Sequence, residues 1–409
     1  MSQVAAAGGV SPADPAASRP RLVVVSAIGV AQILAWGSSY YLPAVLAGPI
    51  AADTGWPLAW VVGALSIGLL VSGLVSPRVG HLIERHGGRP VLATSAVLLA
   101  VGLLGLALAP NLPVFVAAWI VIGFGMGAGL YDPAFSALGR LYGETARPSI
   151  THVTLFGGFA STVCWPFTAF LASHLGWRGA CLAYAAIHVA IVLPLYLLAL
   201  PKEAERPPKP VAADSPPPGH VRPDQRAAFL LLAAGFTLAY LVMTVIAVHL
   251  LTLLQAQGLA LAAAVAFGAL IGPAQVGGRI LEMMFGKSLH PVWSLLASST
   301  LVAVGLGLLV AMPGIAAACI VLYGMGSGIR SIARGTVPLA LFGKEGYAIL
   351  MGRLALPSLL ATAAAPMVGA WLLEWTGPSG TLVALFGASL LNLALVVPLV
   401  PMALRQRRA

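Results

Sequence analysis

Apolar stretches about twenty residues long follow one another along this chain, and they constrain its fold more than any motif does. Charged residues make up 8% of the 409 positions and hydrophobic ones 59%, whereas a soluble domain carries roughly 25% charge. A water-soluble fold of this size could not cover its surface with so little charge. In hydrocarbon every backbone N–H and C=O needs a partner within the chain, which leaves helices and closed barrels. Barrel strands alternate polarity at every second residue. These runs do not, and their length suits helices crossing a core of about 30 Å.

Breaks at Gly, Pro and charge predict twelve spans, near 22–50, 58–77, 91–109, 114–137, 148–172, 179–200, 227–254, 260–284, 292–311, 315–335, 346–373 and 380–402. The expected fold is an all-α membrane protein, with twelve transmembrane helices in two pseudo-symmetric six-helix halves. A polar, disordered lead (1–20) precedes the first half (21–200). A Pro-rich linker (201–226) joins it to the second half (227–403), and a basic tail (404–409) follows. The lead lacks the charged start and short apolar core of a cleaved signal, so the first span is expected to be retained. Cys164, Cys181 and Cys319 sit in apolar runs without metal or redox spacing.

The net charge of +10 has a topological origin. Arg78, Arg85, Arg89, Arg140, Arg147, Lys287, Lys344 and the linker cations fall on one set of loops, while the opposite set carries only Arg178. The positive-inside rule therefore places both termini and the linker in the cytoplasm. A bacterial inner (plasma) membrane is the expected location. No nucleic-acid partner is needed to explain the charge.

The halves also repeat in sequence. Gly125-Met126-Gly127-Ala128-Gly129 recurs as Gly324-Met325-Gly326-Ser327-Gly328, 199 positions later. Pro166 recurs as Pro366 at an offset of 200, and Arg78 with Pro90-Val91 recurs as Arg279 with Pro291-Val292 at 201. Duplicated halves place a binding site at their interface near the bilayer midplane. The glycine runs lie within apolar spans, where small residues permit close helix packing. No Lys-Ser/Thr follows them, so they are not phosphate loops.

Between spans two and three the chain runs Gly80-His81-Leu82-Ile83-Glu84-Arg85-His86-Gly87-Gly88-Arg89. This resembles the signature loop of the major facilitator superfamily, Gly-x-Leu-x-Asp-Arg-x-Gly-Arg-Arg, with Glu84 as the acid and Gly88 in place of one base. The resemblance implies that Gly80, Glu84, Arg85, Gly87 and Arg89 act in gating, through charge pairs remade as the halves rock. Drug antiporters of that superfamily carry an Arg where this chain has Trp119, and their span-five pattern is replaced by Cys164-Trp165-Pro166-Phe167. Gln275-Val276-Gly277-Gly278-Arg279 is similar to the Asp-x-x-x-Arg pair of monocarboxylate porters, as is Gly176-Trp177-Arg178 after span five. An amide at Gln275 cannot titrate, which argues against proton coupling there.

Ionisable residues within spans are costly and mark function by default. Here they are Asp132, Arg279, Glu282, Arg330, Arg334 and Arg353, with His188 and His249 as possible titrating groups. Arg279 and Glu282 lie within one helical turn and could neutralise each other, and Asp132 could pair with an arginine across the halves. Arg334 and Glu282 are near span ends, where long side chains reach the surface. Arg279, Arg330 and Arg353 are the expected anion contacts, since a planar guanidinium takes a carboxylate bidentately. Gln275, Gln32, Trp36, Tyr40, Tyr41, Tyr131, Tyr240 and Thr244 are expected to line the pathway. Asp132 joins the gating residues as a charge pair.

The expected function is secondary active transport of a small organic anion, a monocarboxylate, by alternating access. Efflux of a toxic or drug-like compound is the alternative. A solute sensor is a third reading, and it would need an output domain larger than this linker. No catalytic constellation, metal motif or nucleotide site is evident, so neither an enzyme nor a cofactor is expected. The expected partners are the lipid bilayer and a small anionic substrate, with the monomer as the functional unit.

Overall fold

The computed structural model describes residues 20–203 and 219–406. Most of the expected disordered lead, the Pro-rich centre of the linker and the end of the basic tail lie outside the described residues. Regular structure among the described residues is helical throughout.

Nine continuous apolar stretches in the described residues are long enough to cross a membrane, and two of them turn back on themselves. Leu112–Ala199 reverses at the short turn Gly143–Ala146 and again at Gly176 (φ 69°, ψ 174°). Tyr347–Arg405 reverses at Gly377 (φ 67°, ψ 177°). Both glycines hold left-handed backbone that a side chain would strain. Across the Gly176 reversal the Tyr184 and Thr168 hydroxyls come within 2.7 Å, pairing the two arms antiparallel.

Twelve crossings result. Span 1 is Arg21–Gly37 with Leu42–Thr54, span 2 Leu58–His86, span 3 Gly88–Leu108, and span 4 Leu112–Gly129 with Tyr131–Tyr142. Spans 5 and 6 are 147–175 and 177–199. Span 7 is Arg226–Ala256, span 8 Leu261–Ala269 with Ile271–Phe285, span 9 Pro291–Ala311 and span 10 Ala316–Phe342. Spans 11 and 12 are 347–376 and 378–406.

Span 1 was expected to be one long helix. It is broken by a turn at Ser38 to Tyr41, beyond Gly37 and just before Pro43. Span 4 is broken at Leu130, whose extended backbone (φ −78°, ψ −158°) separates two helices. These breaks place Tyr40, Tyr41 and Tyr131 where regular helix stops.

The glycine runs show the repeat in three dimensions, at a register two residues from the sequence match. Gly123 and Gly127 approach span 2, at the Gly68 and Ser72 carbonyls, while Gly125 approaches Leu99 of span 3. In the second half Gly324 and Gly328 approach span 8, at the Ile271 and Gln275 carbonyls, and Gly326 approaches Ser298 of span 9. The structural offset is therefore 201, the same as from Gly176 to Gly377. Alternate glycines face different neighbours, so a two-residue slip preserves the motif, and sequence matching alone cannot detect it.

The halves meet mainly at the end that carries the basic loops. There Leu339, Tyr347 and Met351 of the second half share a core with Ile28, Phe135 and Ile150 of the first. A Cβ at Gly80 would collide with the Ala348 carbonyl, one at Gly352 with that of Ser76, and one at Gly335 with Phe135. Toward the other end each half keeps its own core, one around Leu46, Leu103 and Trp119 and the other around Val245, Leu306 and Ile320.

Replacing Gly352 by Leu should wedge span 11 from span 2. Overpacking of about 1–3 kcal/mol would shift the population away from this arrangement by roughly fivefold or more. A Cys introduced at the buried Ser136 should then react with a maleimide several-fold faster than in the parent. An unchanged rate would show that the Gly352 contact does not hold this end closed.

Candidate functional site

The four arginines expected within the spans are held in four different ways. Arg334 is 3% exposed and forms a two-pronged bond to Asp132 across the halves, Nε to Oδ1 at 2.6 Å and Nη2 to Oδ2 at 2.9 Å. Its Nη1 donates to Ser358 at 3.3 Å, and its guanidinium lies 4.7 Å over the Tyr240 ring. Asp132 sits in the first turn of Tyr131–Tyr142, where the helix dipole favours an acid. Arg334 therefore pairs inside the bundle and does not reach for the surface.

Arg330 stays within the second half, with Nη1 donating to Asn392 at 3.2 Å and Nη2 to Ser299 at 3.0 Å, while its Nε is buried without a hydrogen-bond partner in the described structure. Asn392 in turn donates to the Gly235 carbonyl at 2.6 Å, so one polar chain links spans 7, 9, 10 and 12. Arg353 lies at the basic end, exposed, over Phe229 and donating to the Gly219 carbonyl at 3.2 Å. Arg330 lies within electrostatic reach of Tyr240 and Tyr323, whereas Arg353 is not brought together with the aromatic residues near mid-span.

Arg279 is different. It is 5% exposed, and its Nε donates to Ser331 at 2.9 Å. Its Nη1 is buried with no hydrogen-bond partner in the described structure. Space for that nitrogen exists because residue 158 is glycine, where a Cβ would collide with it. The pairing of Arg279 with Glu282 does not form. Glu282 accepts from Arg147 of span 5 at 3.0 Å and from Ser294 at 2.9 Å, which ties the halves together at the basic end. Arg147 also donates to the Gly286 and Leu289 carbonyls, both at 2.6 Å.

Around Arg279 the aromatic candidates converge. Tyr41, Tyr131 and Tyr240 lie within electrostatic reach of its charge. Trp36 is 5.0 Å from Tyr131, 5.4 Å from Tyr40 and 6.1 Å from Tyr41, centroid to centroid, and Tyr41 is 6.1 Å from Trp165. Gln32 fixes this cluster. Its amide donates to the Gly129 carbonyl at 2.7 Å, beside the span 4 break, and accepts from the Trp36 indole at 3.2 Å. Trp165 also lines an open groove of about 460 Å³ between spans 1 and 5, with Ala44, Val45, Ser161 and Thr162. Thr162, Trp165 and Ala169 share one face of the helix that follows the turn at Phe159, while Gly158, against which Arg279 packs, ends the helix before it. Gln275 is one turn before Arg279 and half-buried.

The loop after span 2 is seated by close contact and by an acid from the linker. Gly80 abuts span 11, and Gly87 adopts φ 87° between two helices. Glu203 accepts from the Gly88 N–H at 2.9 Å and from Arg140 at 2.6 Å, while Arg140 also donates to the Ile83 carbonyl at 2.9 Å. Glu84 and Arg89 are half-buried and Arg85 is exposed. Glu203 and Arg140 were not foreseen at this loop, because neither is near it in sequence. His249 and the Pro366 carbonyl are 3.1 Å apart, joining spans 7 and 11, and His188 pairs with Ser38 at 2.7 Å.

A family model described as the Major Facilitator Superfamily matches residues 28–290. The chain belongs to that superfamily. Its members are multi-pass transporters of small molecules, not enzymes, and this chain is an integral membrane protein of that kind. Among curated relatives, the 3-(3-hydroxy-phenyl)propionate transporter of Escherichia coli K12 is 31% identical over 198 residues, 47% of this chain and 46% of that protein. Human monocarboxylate transporter 11 is 30% identical over 171 residues, 40% of this chain and 34% of that protein. The alignments thus span less than half of either relative. The human organic anion transporter MFSD10 (TETRAN) superposes with a TM-score of 0.75 at 17% identity, covering 93% of this chain and 100% of that one.

Removing only Asp132, as Asp132→Asn, should destabilise this superfamily member by about 3–5 kcal/mol, because Arg334 is left buried without a counter-charge. Asp132→Leu with Arg334→Met should recover most of that loss. Thermal denaturation in detergent of the wild type, Asp132→Leu, Arg334→Met and the double variant gives the coupling. Additive losses would show that the pair contributes no interaction energy.

Proposed function

We propose that this protein is a secondary active carrier of a small organic monoanion, bound through Arg279 between the two halves and moved by alternating access. The observation that carries the reading is the buried Arg279 Nη1 with no partner, at the junction of spans 5 and 8. An isolated guanidinium in low dielectric costs several kcal/mol. A carboxylate offers it charge and acceptors in matching planar geometry. Gln275, one turn away, adds donors without charge.

The positive-inside rule supports a cytoplasmic basic end with cytoplasmic termini. The halves meet there, so the site faces outward in this arrangement. The Asp132–Arg334 and Arg147–Glu282 pairs are the bonds that must open for release to the cytoplasm, together with the seating of Gly80, Glu84, Arg85, Gly87 and Arg89. The names of the two relatives, transporters of a phenylpropionate and of monocarboxylates, agree with an anionic substrate.

Purified protein in liposomes should show saturable uptake of a radiolabelled monocarboxylate. Arg279→Gln should reduce it by about 100-fold, since losing a charge-assisted bond to a bound carboxylate costs about 3 kcal/mol. Gly158→Val, which leaves the arginine in place and takes its space, should raise KM without unfolding the protein. Wild-type flux in both variants, with normal melting curves, would overturn the assignment.

A further inference from the structure

We infer that the anion carried at Arg279 is an aryl-bearing monocarboxylate, its ring held among Trp36, Tyr41, Tyr131 and Trp165. This rests on Arg279 as the carboxylate contact. The valence follows from how the other cations are used. Arg334 is neutralised by Asp132 and Arg147 by Glu282, and Arg330, although its Nε is also buried without a partner, is enclosed by Asn392 and Ser299 within one half, away from the junction. At the junction of the halves Arg279 keeps a buried donor without a partner. One guanidinium compensates one carboxylate, and a second would be desolvated without a counter-charge.

The body of the substrate follows from the rings. Trp119, Tyr184 and Tyr196 are fully enclosed in the cores, whereas Trp36, Tyr41 and Tyr131 are only half-buried and Trp165 is 46% exposed. Their centroids lie 5.0–6.1 Å apart along the chain Tyr131–Trp36–Tyr41–Trp165. That spacing is typical of edge-to-face and tilted aromatic pairs, and the partly open members can accept one more ring. The Trp36 indole N–H is committed to Gln32, so the ring face remains for a ligand. Gln32 is a positioning residue, holding Trp36 through the carbonyl at the span 4 break.

Isothermal titration of the full-length protein in detergent with phenylacetate, cyclohexylacetate, propanoate and phenylacetamide tests the inference. Phenylacetate should bind at least about fivefold tighter than cyclohexylacetate, and tighter still relative to propanoate. Trp165→Ala should remove that preference and Trp165→Phe should keep most of it, while propanoate affinity stays the same in both. Gln32→Leu should weaken phenylacetate more than propanoate. Equal affinities for the three acids would overturn the aryl inference and leave the Arg279 assignment standing. Phenylacetamide binding as tightly as phenylacetate, with Arg279→Gln indifferent, would overturn both. Absence of heat with all four compounds would also overturn both.

Discussion

A guanidinium in hydrocarbon must find charge or donate its hydrogens, and the arrangement of this protein follows from how each arginine does so. Arg334 takes the acid that the other half offers, and the bidentate bond to Asp132 becomes a lock between halves. Arg147 does the same with Glu282 nearer the basic end. Arg330 has no acid and is held by an amide and a hydroxyl, which makes it a brace within the second half. With the acids at this level taken, Arg279 keeps an open valence where the halves meet. The site is defined as much by the commitments of its neighbours as by its own residues.

Those commitments depend on close backbone approach. Glycines at 80, 335 and 352 let helices of opposite halves touch at the basic end, and Gly158 leaves room for a charged nitrogen. Each is an ordinary residue in a sequence with 46 glycines. Their roles depend on which neighbour they face, and neighbours are set by tertiary structure.

The spans, their number and the segregation of basic loops were legible in the sequence, because hydropathy and charge act locally along a helix. The superfamily loop was legible for the same reason. The ion pairs were legible only in part. A cross-half partner for Asp132 could be expected from corresponding spans, but Arg334 could not be told from Arg330, one turn away on the same helix. The Arg279–Glu282 pair followed from spacing, yet their side chains diverge toward Gly158 and Arg147 respectively. Glu203 lies 115 residues from the Gly88 it bonds, and Trp165 was seen only as part of a departure from another family's motif. Arg353 and Arg330 looked like Arg279 in a list of intramembrane cations. Only the positions of Phe229, Asn392 and Ser299 separate them.

The break at Leu130 divides span 4 into two pieces with different allegiances. The upper piece, Leu112–Gly129, is bound by its glycines to spans 2 and 3 of its own half. The lower piece, Tyr131–Tyr142, carries Asp132, Phe135 and Gly139, which touch the second half. A helix joined by one non-helical residue can bend there at little cost in hydrogen bonds. Gln32 bonds the Gly129 carbonyl beside this break and the Trp36 indole with its other end, so the boundary between the two pieces and the aromatic cluster share one side chain.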